Sequence, residues 1–315
     1  MPTSSFLPGK LTRRQFSLRS ALALASLSIP LANMQSAEGA GARLKVLLIG
    51  GQNNHDWRKS TPFLQSILEK AGHLQVTVKN TPENNAPAAS WDAWQPVFRD
   101  YDCVVSDYNG QMWPERVKEQ FVQYINGGGG AVIVHAANNA FTGWKEYEQM
   151  VGLLWRGKDY GDSLYLNNDG QLVREKANQG RDMGHGGQYD WVMTTRDAQH
   201  PITAGMPLHW MHKHDELYHG QRGPAENIHI LLTAFSDPAP GRGGTGKHEP
   251  IVWWVPYGKG KVVVNVMGHV GDLGCLQCVG FQTILLRACE WLARGQCQTP
   301  IPADFPTAEG VRVRS

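Results

Sequence analysis

After residue 43 the apolar positions of this chain alternate between two rhythms. Leu44–Gly51 is a short run of branched side chains, broken by Lys45 and closed by two glycines, which reads as a buried parallel strand. Ser60 and Thr61-Pro62 open a helix with Phe63, Ile67, Leu68 and Ala71 on one face, and Gly72 closes it. Leu74–Val78 and Tyr101–Ser106 read as further strands. Pro114-Glu115 open a second helix with Val117, Phe121, Tyr124 and Ile125 facing inward; Gly127–Gly130 end it. Ala131–His135 is then a strand with no polar residue before its last position. This alternation predicts an α/β domain with a doubly wound, mostly parallel sheet. Such sheets bind ligands beyond the carboxyl ends of their strands, where His55 and His135 fall.

The second half is less regular. Asp162–Val173 reads as a hairpin with its turn at Asp169-Gly170. Residues 174–190 are polar and glycine-rich and read as a long surface loop, as do residues 236–248. His229–Phe235 is a strand, Ile251–Val255 and Lys261–Val266 are paired strands around Tyr257–Gly260, and a last helix spans about Gly280 to Ala293. With no internal repeat and no dividing linker, residues 43–300 read as one α/β domain with added β-hairpins and loops, followed by a C-terminal tail over 301–315.

The first 42 residues follow another logic. Lys10, Arg13 and Arg14 form a charged start, and Thr12-Arg13-Arg14-Gln15-Phe16 sets paired arginines before an aromatic. The apolar stretch Ala21–Ala32 is too short for a stable bilayer span. Small residues follow, with cleavage expected at Ala40-Gly41-Ala42 or Ala37-Glu38-Gly39. This is the pattern of a twin-arginine signal peptide, and it predicts a periplasmic or secreted protein with no membrane attachment after cleavage. Four basic residues against one acidic give this segment +3, so a chain of net charge +2 leaves −1 for the remainder. The mature part therefore gives no electrostatic case for nucleic-acid binding. Eleven tryptophans suggest stacking on sugar-like ligands, although most are expected in the core. Five cysteines include the pair Cys275-Leu276-Gln277-Cys278, open to redox, metal or disulfide roles; Cys289 and Cys297 lie downstream as partners for either, and an inert structural role is the leading expectation.

The twelve histidines carry most of the chemistry. His55, His135 and His269 each follow a strand, and His209, His212, His214 and His219 crowd around Asp215-Glu216-Leu217-Tyr218. Imidazoles and carboxylates converging on one sheet edge suit a divalent metal, and they suit proton transfer near neutral pH. The set His55, His135, His214 and His269 stands out because three separate strand ends produce it. His212-Lys213-His214 would ligate only if extended. Nucleophilic acyl transfer is disfavoured: no G-x-S-x-G is present, and His135 stands where a glutamine amidotransferase has its cysteine. The sequence Gly50-Gly51-Gln52-Asn53-Asn54-His55 is not a dinucleotide fingerprint.

Taken in order, VLLIGGQNNHD (Val46–Asp56), GGGGAVIVHAANNAFTGW (Gly127–Trp144), HPITAGMP (His200–Pro207), DELY (Asp215–Tyr218) and PIVWWVPYGKGKVVVNVMGH (Pro250–His269) resemble the trehalose-utilisation (ThuA-like) family. The resemblance implies a flavodoxin-like, class I glutamine amidotransferase-like fold without the catalytic cysteine, and a role in disaccharide or 3-keto-sugar metabolism. It places His55, Asp56, His135, Asn138, Asp215, Glu216 and His269 in a cleft, with Trp144 and Tyr147 as its wall or supporting helix. The resulting expectation is a metal-assisted sugar hydrolase, isomerase or lyase. Its ion, zinc first among the options, is held by His55, His135, Glu216 and His269. His135, Asp56 and Asp215 serve the chemistry, and Asn138, Trp144 and Tyr218 contact a small carbohydrate. The other reading is a non-catalytic carbohydrate-binding accessory protein. The Gly184-His185-Gly186-Gly187 segment lies outside the family pattern, with room to set a specificity of its own.

Overall fold

The computed structural model describes residues 42–315. The twin-arginine signal and its cleavage sites fall on residues 1–41 and Ala42 and so lie, but for Ala42, outside the described residues. In chain order the elements are β1 (Leu44–Gly50), α1 (Trp57–Lys70), β2 (Leu74–Asn80), α2 (Ala88–Ala93), β3 (Cys103–Ser106), α3 (Glu115–Asn126), β4 (Gly130–Val134), α4 (Lys145–Val151), β5 (Ser163–Leu166), β6 (Leu172–Glu175), β7 (Tyr189–Thr195), β8 (His209–Asp215), β9 (His229–Phe235), β10 (His248–Tyr257), β11 (Gly260–Asn265), α5 (Gly274–Gln277) and α6 (Val279–Arg294). Short 3₁₀ turns follow at Phe98–Asp100 and His135–Asn139.

One mixed sheet runs in the order β2-β1-β3-β4-β11-β10-β9-β7-β8, with the β5–β6 hairpin attached through β10. The first five strands are parallel, in the order of a flavodoxin-like sheet. Helices α1 and α6 cover one face of this half, and α3 and α4 pack on the other. Being covered twice explains the uninterrupted apolar runs: Val46–Ile49, Val104, Val105, Ala131–Val134 and Val262–Val264 are all buried. Each larger aliphatic side chain there contributes about 1.5–3 kcal/mol of transfer free energy. From β10 onward the strands pair antiparallel, so the sheet is parallel at its N-terminal half and mixed as a whole.

Two strands, β7 and β8, fall where the hydrophobic pattern shows none. The sequence of β8, HWMHKHD, buries Trp210, His212 and Asp215 and leaves His209 and His214 exposed, so polar residues occupy inward positions and mask the period of two. Helix α1 begins at Trp57, ahead of the expected Ser60. The Ser60 and Thr61 hydroxyls do not cap it; both donate at 2.7 Å to the buried Asp107 carboxylate at the end of β3. Burial pushes the Asp107 carboxyl up to about 6, against the lowering effect of these two bonds. The segment 301–315 packs on the domain, with Phe305 buried, Thr307 accepting from the Met211 N–H and Val313 bridging to Cys278. All five cysteines are free thiols, which corrects the disulfide option for the Cys275 and Cys278 pair. No helix among the described residues is long and apolar enough to cross a membrane.

Candidate metal centre

Four strand ends deliver the central side chains. His135 directly follows β4, Glu216 directly follows β8, and His55 and His269 come from the loops after β1 and β11. His135 turns out of its strand at φ +46°, a conformation strained by roughly 1–2 kcal/mol for a residue with a β-carbon. Gly268 packs against it at φ +124°, which favours glycine; a β-carbon there would also lie 3.4 Å from that of His135. His269 meets the other two imidazoles edge to face, with centroids 4.7 Å (His55) and 5.9 Å (His135) away, and the tilted rings of His55 and His135 are 4.8 Å apart.

One donor atom from each of His55, His135, Glu216 and His269 falls within a group spanning at most 4.8 Å. Shifts of about an ångström or less would close that span onto an ion with bonds near 2 Å. Hydrogen bonding has already aimed the rings. His135 Nδ1 donates to the Val266 carbonyl at 2.8 Å, and His55 Nδ1 faces Asn53 Oδ1 at 3.3 Å, so in both neutral rings Nε2 keeps its lone pair. His269 Nδ1 lies 3.1 Å from Glu216 Oε1 yet is buried without an aligned hydrogen-bond partner.

The electrostatics agree with that reading. Burial, then the neighbouring His135 and His269, pushes His55 down to about 4, and burial lowers His135 as well. Burial alone would raise Glu216, but His269, His135 and His185 hold it below the usual carboxylate range. His269 is raised by Glu216. Neutral His55 and His135 beside an ionised Glu216 are the protonation states that metal binding requires, and an ion would have to displace the proton that Glu216 favours on His269.

Asp215 is the device that assembles the cluster. It is fully buried and accepts from His212 Nε2 (2.8 Å) and from the backbone N–H groups of Glu216 (2.8 Å), Gly268 (2.8 Å) and His269 (3.0 Å). Thus one carboxylate ties the end of β8 to the loop after β11, although these strands lie far apart in the pairing order. Burial opposes its ionisation, but the His212 bond and charge, His135 and the Gly268 N–H outweigh that and hold it down at about 2. His212 is likewise held up at about 9, burial being overcome by Cys278 and Asp215.

Among the residues singled out by sequence, His55, His135, Glu216 and His269 come together. Tyr218 joins them, its hydroxyl 3.1 Å from His135 Nε2. Asp215 is beneath the cluster as a positioning residue and not in a cleft. Four other candidates lie outside the cluster. Asp56 turns to solvent and pairs with Lys59 at 3.2 Å, because its backbone opens α1 while His55 turns inward. Asn138 is fully buried and donates to Gln221 Oε1 at 2.7 Å, so it underlies the site. Trp144 is buried among Trp113, Phe121, Phe141 and Tyr147, where the gain from burying a large ring outweighs any role as a cleft wall. His214 is exposed and takes no part: residues two apart in a strand share a face, but the backbone turns at His214 (φ +29°) and carries it away from the buried side of His212. Sequence reasoning missed Trp155, whose ring lies 4.5 Å from that of Tyr218, since a lone tryptophan carries no signal of its own.

Comparison with known proteins follows the same lines. The sequence profile of the family described as trehalose utilisation, ThuA, matches residues 45–292. A ThuA-like protein from Parabacteroides merdae, solved by crystallography, is 39% identical, with a TM-score of 0.81 over 86% of this chain and 98% of that one. A ThuA-like protein from Bacteroides uniformis shares the fold at 18% identity, with a TM-score of 0.54 over 84% of this chain and 96% of that one. No curated protein matches the chain.

Proposed function

This chain belongs to the ThuA family, and on that premise we propose that it is an exported, metal-assisted enzyme acting on an oxidised disaccharide or glycoside. The observation that carries the reading is the convergence of three imidazoles and one carboxylate from four strand ends, with the tautomers of His55 and His135 already set. Zinc or a related divalent ion suits this donor set, held by His55, His135, Glu216 and His269. When bound, such an ion supplies Lewis acidity that polarises a sugar carbonyl and acidifies the adjoining C–H.

The chain's own residues do the rest. Asp215 fixes the backbone carrying Glu216 and His269, and Val266 fixes the ring of His135. The Tyr218 hydroxyl is held well above its ordinary pKa by burial and by Glu216 and Asp215, so it stays protonated and donates. His135 Nε2 has one lone pair; when that pair is engaged by a cation, the Tyr218 hydroxyl is free to donate to a sugar oxygen. His55 and His269 are only half-buried, so the centre opens to ligands on their side. Export by the twin-arginine route, which Arg13 and Arg14 support, suits a domain that is loaded with its ion before it leaves the cytoplasm.

The test is metal analysis of purified protein lacking residues 1–42, with turnover of trehalose and 3-ketotrehalose measured before and after chelation. A stoichiometric divalent ion and chelator-sensitive turnover are expected. Metal-free protein that binds sugar without converting it would overturn the reading in favour of a carbohydrate-binding accessory protein.

A further inference from the structure

The long loop between β6 and β7 has no counterpart in the family-like segments of the sequence, yet it reaches the metal centre. His185 Nε2 on this loop lies 3.4 Å from Glu216 Oε1. The loop is fastened from beneath by Arg222, whose side chain is fully buried. Its guanidinium donates to the carbonyls of Gln179 (2.6 Å) and Arg181 (2.8 Å) and pairs with Glu175 at 3.3 Å. Lys247 takes the other oxygen of Glu175 at 2.8 Å. Gly184 and His219 exchange both of their backbone hydrogen bonds, at 3.0 and 2.9 Å. Gly186 packs so tightly on the Arg242 backbone that a β-carbon would collide with its carbonyl. A loop tied at so many points presents His185 in a fixed place.

The orientation of the ring is also set. His185 Nδ1 approaches the Gly186 carbonyl at 2.7 Å, which fixes the ring with Nε2 turned towards Glu216 and the centre. His185 is not among the four clustered donors, and its ring is the more exposed. It lies 5.8 Å from the ring of Trp155 and stacks at 6.3 Å on Tyr218, while Trp155 is itself partly open to solvent. A hydrogen-bonding imidazole beside a flat indole, next to a cation site, is the chemistry that recognises a pyranose: hydroxyls around the rim and apolar C–H groups on the faces.

We propose that Trp155 and His185 form the sugar-recognition subsite of this centre. Trp155 lies against a face of the pyranose ring, and His185 Nε2 makes a hydrogen bond with a hydroxyl adjacent to the carbonyl held at the centre. The loop 176–188 thereby sets which sugar this chain accepts. The proposal rests on the metal-assisted sugar reading above.

The experiment compares wild type with His185→Ala, His185→Gln and Trp155→Ala, with metal content measured by mass spectrometry and binding of trehalose and 3-ketotrehalose by calorimetry. Loss of one hydrogen bond predicts roughly two- to tenfold weaker binding for His185→Ala at unchanged metal content. Trp155→Ala is expected to weaken binding as well, and His185→Gln, which keeps an acceptor, to recover part of the loss. Unchanged sugar affinity in both alanine variants, or loss of metal from His185→Ala, overturns this subsite while leaving the preceding reading intact. A wild type that binds neither sugar overturns both.

Discussion

Replacing Asp215 by Asn keeps the shape of the side chain and removes its charge, and the consequences follow from the four donors it serves. The amide oxygen replaces one carboxylate oxygen, but the new NH₂ faces donors at the other position: Glu216 and His269 N–H on one side, or Gly268 N–H and His212 on the other. The ionised carboxylate is favoured in the fold by the drop from 3.8 to about 2. At about 1.36 kcal/mol per unit, that is roughly 2.5 kcal/mol. The sign is that of a depressed acid: the stabilisation is complete above pH 4 and drains away as pH falls towards 2. Asp215→Asn is therefore expected to lose roughly 2–3 kcal/mol at pH 7 in urea denaturation of the metal-free protein. Because Asp215 orients Glu216 and His269, zinc affinity should fall about 10–100-fold as well. A variant within about 0.5 kcal/mol of wild type that binds zinc with wild-type affinity would refute the role assigned to this carboxylate.

Three further outcomes are expected. Glu216→Gln removes the anionic donor, so the rise in melting temperature that zinc gives the wild type, about 2.7 kcal/mol when the ion is at a hundred times its Kd, should collapse in differential scanning fluorimetry; an undiminished rise would exclude Glu216 as a ligand. Trp144→Ala should destabilise by about 3–5 kcal/mol in chemical denaturation yet leave sugar affinity per folded molecule unchanged; selective loss of sugar binding would return Trp144 to the cleft. Asp107 is raised to about 6, so folded protein holds this proton where the unfolded chain releases it, and wild-type stability falls by about 3 kcal/mol as pH rises from 4 to 6. Asp107→Asn lacks that loss, and parallel pH profiles for the two proteins would contradict it.

The parallel half of the sheet was legible because double burial leaves unbroken apolar runs, and β1, β4 and β11 are each followed within five residues by a histidine. The histidines at those ends could therefore be grouped without coordinates. The antiparallel half was less legible. In β8 buried positions are filled by His212 and Asp215, which satisfy each other, so a rule that expects apolar residues inside finds no strand. Asp56 and Asn138 were drawn into the site by closeness in sequence to His55 and His135. Neighbouring residues point in different directions, and one turn of backbone sent Asp56 to Lys59 and Asn138 to Gln221. Trp144 was placed at the cleft wall through the resemblance, which carries a position along the chain but not the four other rings that the side chain meets.

By itself the sequence determined the fold class and brought His55, His135 and His269 together, because strand periodicity and strand-end position are local properties written along the chain; the family and Glu216 were legible through the resemblance of ordered segments. The tertiary structure alone decided how those residues are held and what surrounds them. The bond from Asp215 to Gly268 spans 53 residues, and His185 reaches Glu216 across 31 residues that include β7 and β8. Contacts of that kind arise when the antiparallel strands fold back beside the parallel ones, and no local pattern of hydrophobic and polar positions encodes which loops will then meet.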